Sequence, residues 1–418
     1  MYRGQVAREI KGESMNSRER IMTALDLGVA DRVPTWEWFD EAITIGVADI
    51  LGLKRHHRVT TLRKGDETDQ AIDLYCRVVE ALDVDGTSNV YNTSLTAVNR
   101  DFGRDKYGRG YILSENGMPA IIEAAVSSLK ELETYDMVSR LEKSDFDGLR
   151  KVIDRLGHER AHCLNINGPF QEAWNVMGGM QNTMLGFIEA PDLVHGVLEE
   201  VTRFNQVVMS EAAQLGVDFF MADGDICGND FPLMSVECFR SFILPYKKRM
   251  VEHAHSLGKK IVKHSDGMVW SIMDDLIETG FDGFHPVQPQ CMDLKTTKAY
   301  LHGRLCVFGN VDCLDLLVFG EPAEVTAATR QCILEGSPGG GHILCSSNSL
   351  HPGCKAENVI AMFDAAKAFG CYADIAPEPL PAPPPPDCKP VRERRAAGRR
   401  GANQKIKRRQ SSKSASMG

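Results

Sequence analysis

The stretch KHSDGMVWSIMDDLIETGFDGFHP, residues 263–286, reads as the end of one strand, a helix and a second strand. Lys263 and His264 close an apolar run that starts at Lys260, and a Ser-Asp-Gly turn follows. From Val269 onward apolar residues recur at three- and four-residue spacing until Gly280 stops the helix. The second strand ends on His285, with twenty residues between it and His264. Two interpretations are open: side chains reaching one metal, or unrelated polar residues at the ends of buried strands.

The same unit recurs outward in both directions. Short apolar runs ending in polar or Gly-rich residues stand at RVPTWEWFD (32–40), LDVDGTSNVYN (82–92), HCLNINGPF (162–170), VDFFMADGD (217–225), KIVKHSDG (260–267), FDGFHPVQP (281–289), LCVFGNVD (305–312) and HILCSSNS (342–349). Amphipathic segments such as SVECFRSFILPYKKRMVEHAHSLG lie between them. Strand and helix alternating eight times predict an α/β fold, a parallel sheet closed as a (β/α)8 TIM-type barrel. An open doubly wound sheet is the alternative, but no GxGxxG follows the first run. Between the second and third runs, DFGRDKYGRGYILSENGMPAII has two alternating segments around SENG, which predict a β-hairpin excursion over the barrel mouth. MNSRERIMTALDLGVADRVP predicts a helix capped by Asn16 or Ser17.

The expected domains are a disordered extension over 1–14, a barrel over 15–375, and a Pro-rich, then basic, disordered tail over 376–418. Residues 387–418 carry a net charge of +9 within a chain of net −9, so the body is strongly acidic and argues against nucleic-acid binding. No apolar run is long enough for a membrane span and the N-terminus has no signal-peptide pattern, so the expected compartment is cytoplasmic. The twelve cysteines never form CxxC, which speaks for reduced thiols rather than disulfides or a zinc ribbon. Oligomeric state stays open, a homodimer included.

In such a barrel the strand ends converge on one mouth. Here they carry Trp36, Glu37, Trp38, Asp85, Asn89, Asn165, Asn167, Glu172, Asp223, Asp225, His264, Asp266, His285, Gln288, Asn310, Asp312, Ser346, Asn348 and His351. Adjacent parallel strands lie about 4.8 Å apart, so one ion can touch both His264 and His285. Asp225 is the nearest carboxylate in strand order, and Glu172 is a reserve ligand. Trp36, Trp38, Phe170 and Trp174 suit a flat aromatic substrate, or simply pack under the loops. Glu37 is a candidate general acid or a solvated carboxylate. Cys291 and Cys345 read better as buried bystanders than as reactive thiolates.

SRERIMTALDLGVADRVP, NGPF, FRSFILPYKKRMVEHAHSLGKKIVKHSDG, LIETGFDGFHPVQP, GRLCVFGNVD and GGHILCSSNSLHPGCKAENVIAMFDAAKAFG resemble the uroporphyrinogen decarboxylase superfamily, in its methyltransferase-like branch. The resemblance runs from about Ser17 to Gly370 and implies a (β/α)8 barrel with its site at the mouth. The decarboxylases carry an Arg-rich motif near the N-terminus, where this chain reads TWEWFDEAITIG. The coenzyme M methyltransferases of the family bind zinc through His-x-Cys and a later Cys. This chain has His264-Ser265-Asp266 and, at the later position, Asn348.

What remains resembles the substrate-side methyltransferases of corrinoid-dependent O-demethylase systems, with His264 and His285 at the spacing of their zinc motif. The resemblance implies zinc, a corrinoid (cobalamin) carried by a partner protein, and a small methoxylated donor, aromatic or not. Candidate catalytic residues are Asp225, Glu37 and Asp266, substrate contacts are Trp36, Trp38, Phe170, Trp174 and Asn348, and metal ligands are His264, His285, Asp225 and Glu172. Two alternatives stand beside this one: a metal-free decarboxylase-like lyase in which Asp225 stabilises a protonated intermediate, and a tetrapyrrole- or corrinoid-binding module without turnover.

Overall fold

Among the described residues eleven strands follow one another: β1 (Gly86–Asn89), β2 (Thr96–Ala97), β3 (Phe102–Arg104), β4 (Gly110–Ile112), β5 (Ala120–Glu123), β6 (Ala161–Asn167), β7 (Phe219–Asp223), β8 (Lys260–His264), β9 (Gly283–His285), β10 (Cys306–Phe308) and β11 (His342–Ile343). This computed structural model describes residues 14–54, 66–93, 95–99, 101–112 and 120–375. The chain divides into residues 1–380 and 381–418, and the second part lies outside the described residues. So do the expected disorder of 1–13 and of the tail from 376, and the SENG turn.

β1 and β6 to β11 form one sheet in chain order, every pair parallel, with helices in the connections. The edges of that sheet meet through the first apolar run. Thr35 bridges Leu344 beyond β11, and Trp36 bridges Gly86 of β1, both parallel. Trp36 N donates to Leu344 O at 3.2 Å and Gly86 N donates to Thr35 O at 3.1 Å. The run at 32–40 thus holds the expected ring position, but as isolated bridges rather than as a strand. Pro34 has no N–H to give to a ladder, though its carbonyl still accepts from Leu344 N at 2.9 Å.

Side chains alternate faces along each strand, and the two faces have different destinations. Trp36, Cys163, Phe219, Met221, Val262, Cys306, Phe308, Ile343 and Cys345 pack together inside the ring. Leu164, Ile166, Phe220, Ala222, Ile261, Phe284, Val307 and Leu344 face outward and pack in the large layer shared with the helices. The helix Ser17–Leu25 adds Ile21, Ala24 and Leu25 to the inner cluster, beside the N-terminal ends of the strands. Its cap is Asn16: Glu19 N donates to Asn16 Oδ1 at 2.9 Å, and Asn16 N donates to Glu19 Oε2 at 2.9 Å. The ring interior is therefore filled from below, and the inner face carries Asp223, His264 and His285 at the opposite, C-terminal strand ends.

β2 to β5 make a separate four-stranded antiparallel sheet between β1 and β6 in the chain. Among the described residues, no helix is long and apolar enough to cross a membrane.

Candidate active site

Register places the polar strand ends in a row. Asn167 pairs with Asp223, Ala222 with Lys263 one step below, and His264 with His285. Asp223, His264 and His285 each stand two residues beyond an inner-face position, so they point into the ring above its packed floor.

His264 Nδ1 lies 2.7 Å from His285 Nδ1, a hydrogen bond in which one ring carries the shared proton. Both imidazoles are buried. Burial, with the Lys263 charge added, pushes His264 down to about 3, and burial beside His264 holds His285 well below the ordinary range. Both rings are therefore neutral at pH 7. The other nitrogen of His264, Nε2, is 3.8 Å from Asp225 Oδ1. Asp225 Oδ1 also accepts from Asp266 N at 2.9 Å, and Asn348 Nδ2 donates to Asp266 Oδ2. Donor atoms of Asp225, His264 and Asp266 all lie within 4.8 Å of one another. Burial, reinforced by Asp225, raises the Asp266 carboxyl to about 7.

The loop carrying Asp266 has little freedom. Gly267 sits at φ +90°, and a Cβ there would strike the Gly228 carbonyl of the preceding loop. Gly267 N donates to Gln288 Oε1 at 2.8 Å and Met268 N to Gly228 O at 2.9 Å, so the loops after β7, β8 and β9 are bonded together.

Two lysines behind this cluster escaped the sequence expectations. Lys263, outward on β8, donates through Nζ to Gly224 O at 2.8 Å and to His264 O. Lys247, on the helix Leu244–Ser256, is buried, and burial beside Lys263 holds its amine well below the usual lysine range. Burial also lowers Lys263 to about 8, against the pull of Asp225 and Asp223, and raises Asp223 to about 8. The available signal was a lysine inside the otherwise apolar run KIVKH, because both faces of a parallel strand are covered.

Several expected site residues lie elsewhere. Trp36 is fully buried, donates through Nε1 to Thr87 O at 3.2 Å, and meets His285 and Phe308 edge-to-face at 5.2 and 5.9 Å. It is part of the floor beneath the histidines and not a substrate wall. Phe170 is also fully buried, packed on Trp174 at 5.2 Å and Phe187 at 6.2 Å, because its position on the helix Pro169–Val176 faces the outer layer. Trp38, on the same face of its run as Trp36, is half-buried, as is Trp174.

Glu37 alternates to the other face. Its Oε1 accepts from Trp38 N at 2.9 Å and Ser346 Oγ at 3.0 Å, and its Oε2 from Ser346 N at 2.8 Å. Burial pushes the carboxyl up to about 8, but the group ties the first run to the eighth and does not face the mouth. Glu172 is likewise committed. It accepts from Arg109 Nη1 at 2.5 Å, Asn167 Nδ2 at 2.7 Å and Asn175 Nδ2 at 3.1 Å. Arg109, between β3 and β4, also donates through Nε to Asp105 Oδ2 at 2.5 Å. A carboxylate held by a buried guanidinium and two amides is an anchor for the excursion, not a spare metal ligand. Burial raises the Cys345 thiol well above its ordinary range, consistent with an inert interior residue.

A ring of parallel strands, packed below and carrying its ionisable side chains at the C-terminal strand ends, defines a TIM-barrel enzyme scaffold. The model of the uroporphyrinogen decarboxylase (URO-D) family matches residues 16–369, and the chain belongs to that family. It is 23% identical over 256 residues to the methylcobamide:CoM methyltransferase MtbA of Methanosarcina mazei, covering 60% of this chain and 72% of the relative. It is 27% identical over 231 residues to a uroporphyrinogen decarboxylase of Anaeromyxobacter dehalogenans, covering 54% of this chain and 63% of the relative. These relatives are enzymes of two kinds, methyltransferase and decarboxylase. A solved structure of a methyltransferase from Methanosarcina mazei shares the fold, with a TM-score of 0.67 at 19% identity over 85% of this chain and 99% of that one.

Proposed function

We propose that the chain is a zinc-dependent methyltransferase that moves a methyl group from a small methoxylated donor, aromatic or not, to a corrinoid protein. The observation that carries this is the convergence of Asp225, His264 and Asp266 donor atoms at the mouth, above a closed floor. Two carboxylates and one imidazole are ligand types zinc accepts, and three protein donors leave a position open for substrate. The similarity to the methyltransferase MtbA supports the methyl-transfer half of the proposal.

When a methyl ether gives up its methyl group, the electron pair of the C–O bond stays on oxygen, and that oxygen needs a cation or a proton. A bound zinc would supply Lewis-acid stabilisation of that charge. Asp225, His264 and Asp266 would hold the ion. Neutral His264 keeps a lone pair free, Asn348 fixes one oxygen of Asp266, and Trp38 and Trp174 offer partly exposed aromatic surface to the donor. The resemblance to a uroporphyrinogen decarboxylase supports a second reading, a metal-free lyase in which Asp225 faces a protonated intermediate.

The test is metal content by plasma mass spectrometry on the wild type and on Asp225→Ala, His264→Ala and Asp266→Ala. It is followed by methyl transfer to cobalt(I) corrinoid from a panel of methoxylated donors. About one zinc per chain, lost in the three variants, with corrinoid methylation by the wild type, is the expected result. A well-folded wild type that takes up no zinc on reconstitution would refute the zinc mechanism and leave the lyase.

A further inference from the structure

The two histidines of the quoted stretch are not equivalent. We propose that His285 is a positioning residue for His264 rather than a second metal ligand. Its Nδ1 accepts the Nδ1 proton of His264 and so turns the Nε2 lone pair of His264 toward Asp225 and Asp266. The inference rests on the metal site proposed above and assigns the roles within it.

Four observations converge on it. The Nδ1 atoms lie 2.7 Å apart, whereas two nitrogens on one tetrahedral zinc, each about 2.0–2.1 Å from the ion, lie about 3.3 Å apart. The pair therefore has the geometry of a hydrogen bond. The remaining nitrogen of His264 faces Asp225 and shares a small space with Asp266, while His285 is outside that converging group. The remaining nitrogen of His285 is buried without a hydrogen-bond partner, in a ring that Trp36 and Phe308 meet edge-to-face at 5.2 and 5.9 Å. Among the described residues no carboxylate bonds it.

The chemistry then sets the tautomers. An imidazole that offers Nε2 to a cation carries its proton on Nδ1, and that N–H needs an acceptor. His285 Nδ1 is the acceptor within reach, which leaves the His285 proton on Nε2, against aromatic rings that can receive an N–H weakly.

The experiment compares zinc stoichiometry, by plasma mass spectrometry, and zinc affinity, by competition with a chromogenic chelator. The proteins are the full chain, His264→Ala, His285→Leu and His285→Asn. His285→Leu removes the acceptor and His285→Asn keeps one. Expected are no stoichiometric zinc in His264→Ala, one zinc bound about 10- to 100-fold more weakly in His285→Leu, and recovery of most of that loss in His285→Asn. A role confined to packing would not be rescued by the amide. Loss of zinc from His285→Asn as complete as from His264→Ala, with circular dichroism unchanged, would overturn the proposal and make His285 a ligand. Unchanged affinity in His285→Leu would overturn it too. If His285→Leu does not fold, His285→Asn decides alone: zinc retained supports the proposal and zinc lost refutes it. A wild type without zinc is a different result, because it removes the metal site itself.

Discussion

Asn348 Nδ2 donates to Asp266 Oδ2, so the loop beyond β11 grips the loop beyond β8 across the barrel mouth. Through that bond the amide holds one of the three residues whose donor atoms converge. Asn348→Ala should leave the melting temperature of the metal-free protein nearly unchanged and weaken zinc binding by about 10- to 100-fold, the range for lost outer-shell partners. Chelator competition measures it, and an affinity equal to wild type would show that Asp266 is held without Asn348.

Trp36 fills the floor under His285, and nothing beneath it can expand to replace an indole in a close-packed ring. Trp36→Ala should cost about 3–5 kcal/mol of unfolding free energy by urea denaturation. A cost under about 1 kcal/mol would mean that the ring is loosely packed below the histidines.

The Arg109–Glu172 pair is a buried tie between the excursion and the mouth helix. Arg109→Met leaves Glu172 and Asp105 as buried carboxylates without their cation, at a cost of about 3–5 kcal/mol. In Arg109→Met combined with Glu172→Gln, the total loss should be smaller than the sum of the single losses, because the second change removes a charge that the first stranded. A double variant whose losses simply add would show that the two side chains are not coupled.

The ring was legible because a parallel strand buried on both faces leaves an apolar run. That is why His264 and His285 face one another as the spacing implied. What was not legible depends on contacts far apart in the chain. Glu172 looks free as a sequence position, and only folding brings Arg109, sixty-three residues earlier, against it. Trp36 looked like a mouth residue because strand order does not show how deep a side chain sits once the ring closes. The opposite facing of Glu37 and its two tryptophan neighbours was present in the period-two alternation of TWEWF and follows from it directly. The division of labour between the histidines, by contrast, depends on which ring atom faces which neighbour, and no spacing encodes that.

Glu37 offers a test by pH. Burial raises its carboxyl from the ordinary 4.5 to about 8. Between those values the folded chain keeps a proton that the unfolded chain has released, so this group's contribution to stability is complete below pH 4.5 and falls as pH rises toward 8. The slope from one such proton is at most about 1.4 kcal/mol per pH unit. Glu37→Gln cannot titrate, although its amide cannot reproduce all three hydrogen bonds that reach the carboxyl from Trp38 and Ser346. Its stability relative to wild type should therefore start lower at pH 5 and improve steadily to pH 8, measured by urea denaturation at each pH. A difference that stays flat over that range would mean that the three donors keep Glu37 ionised in the fold despite its burial.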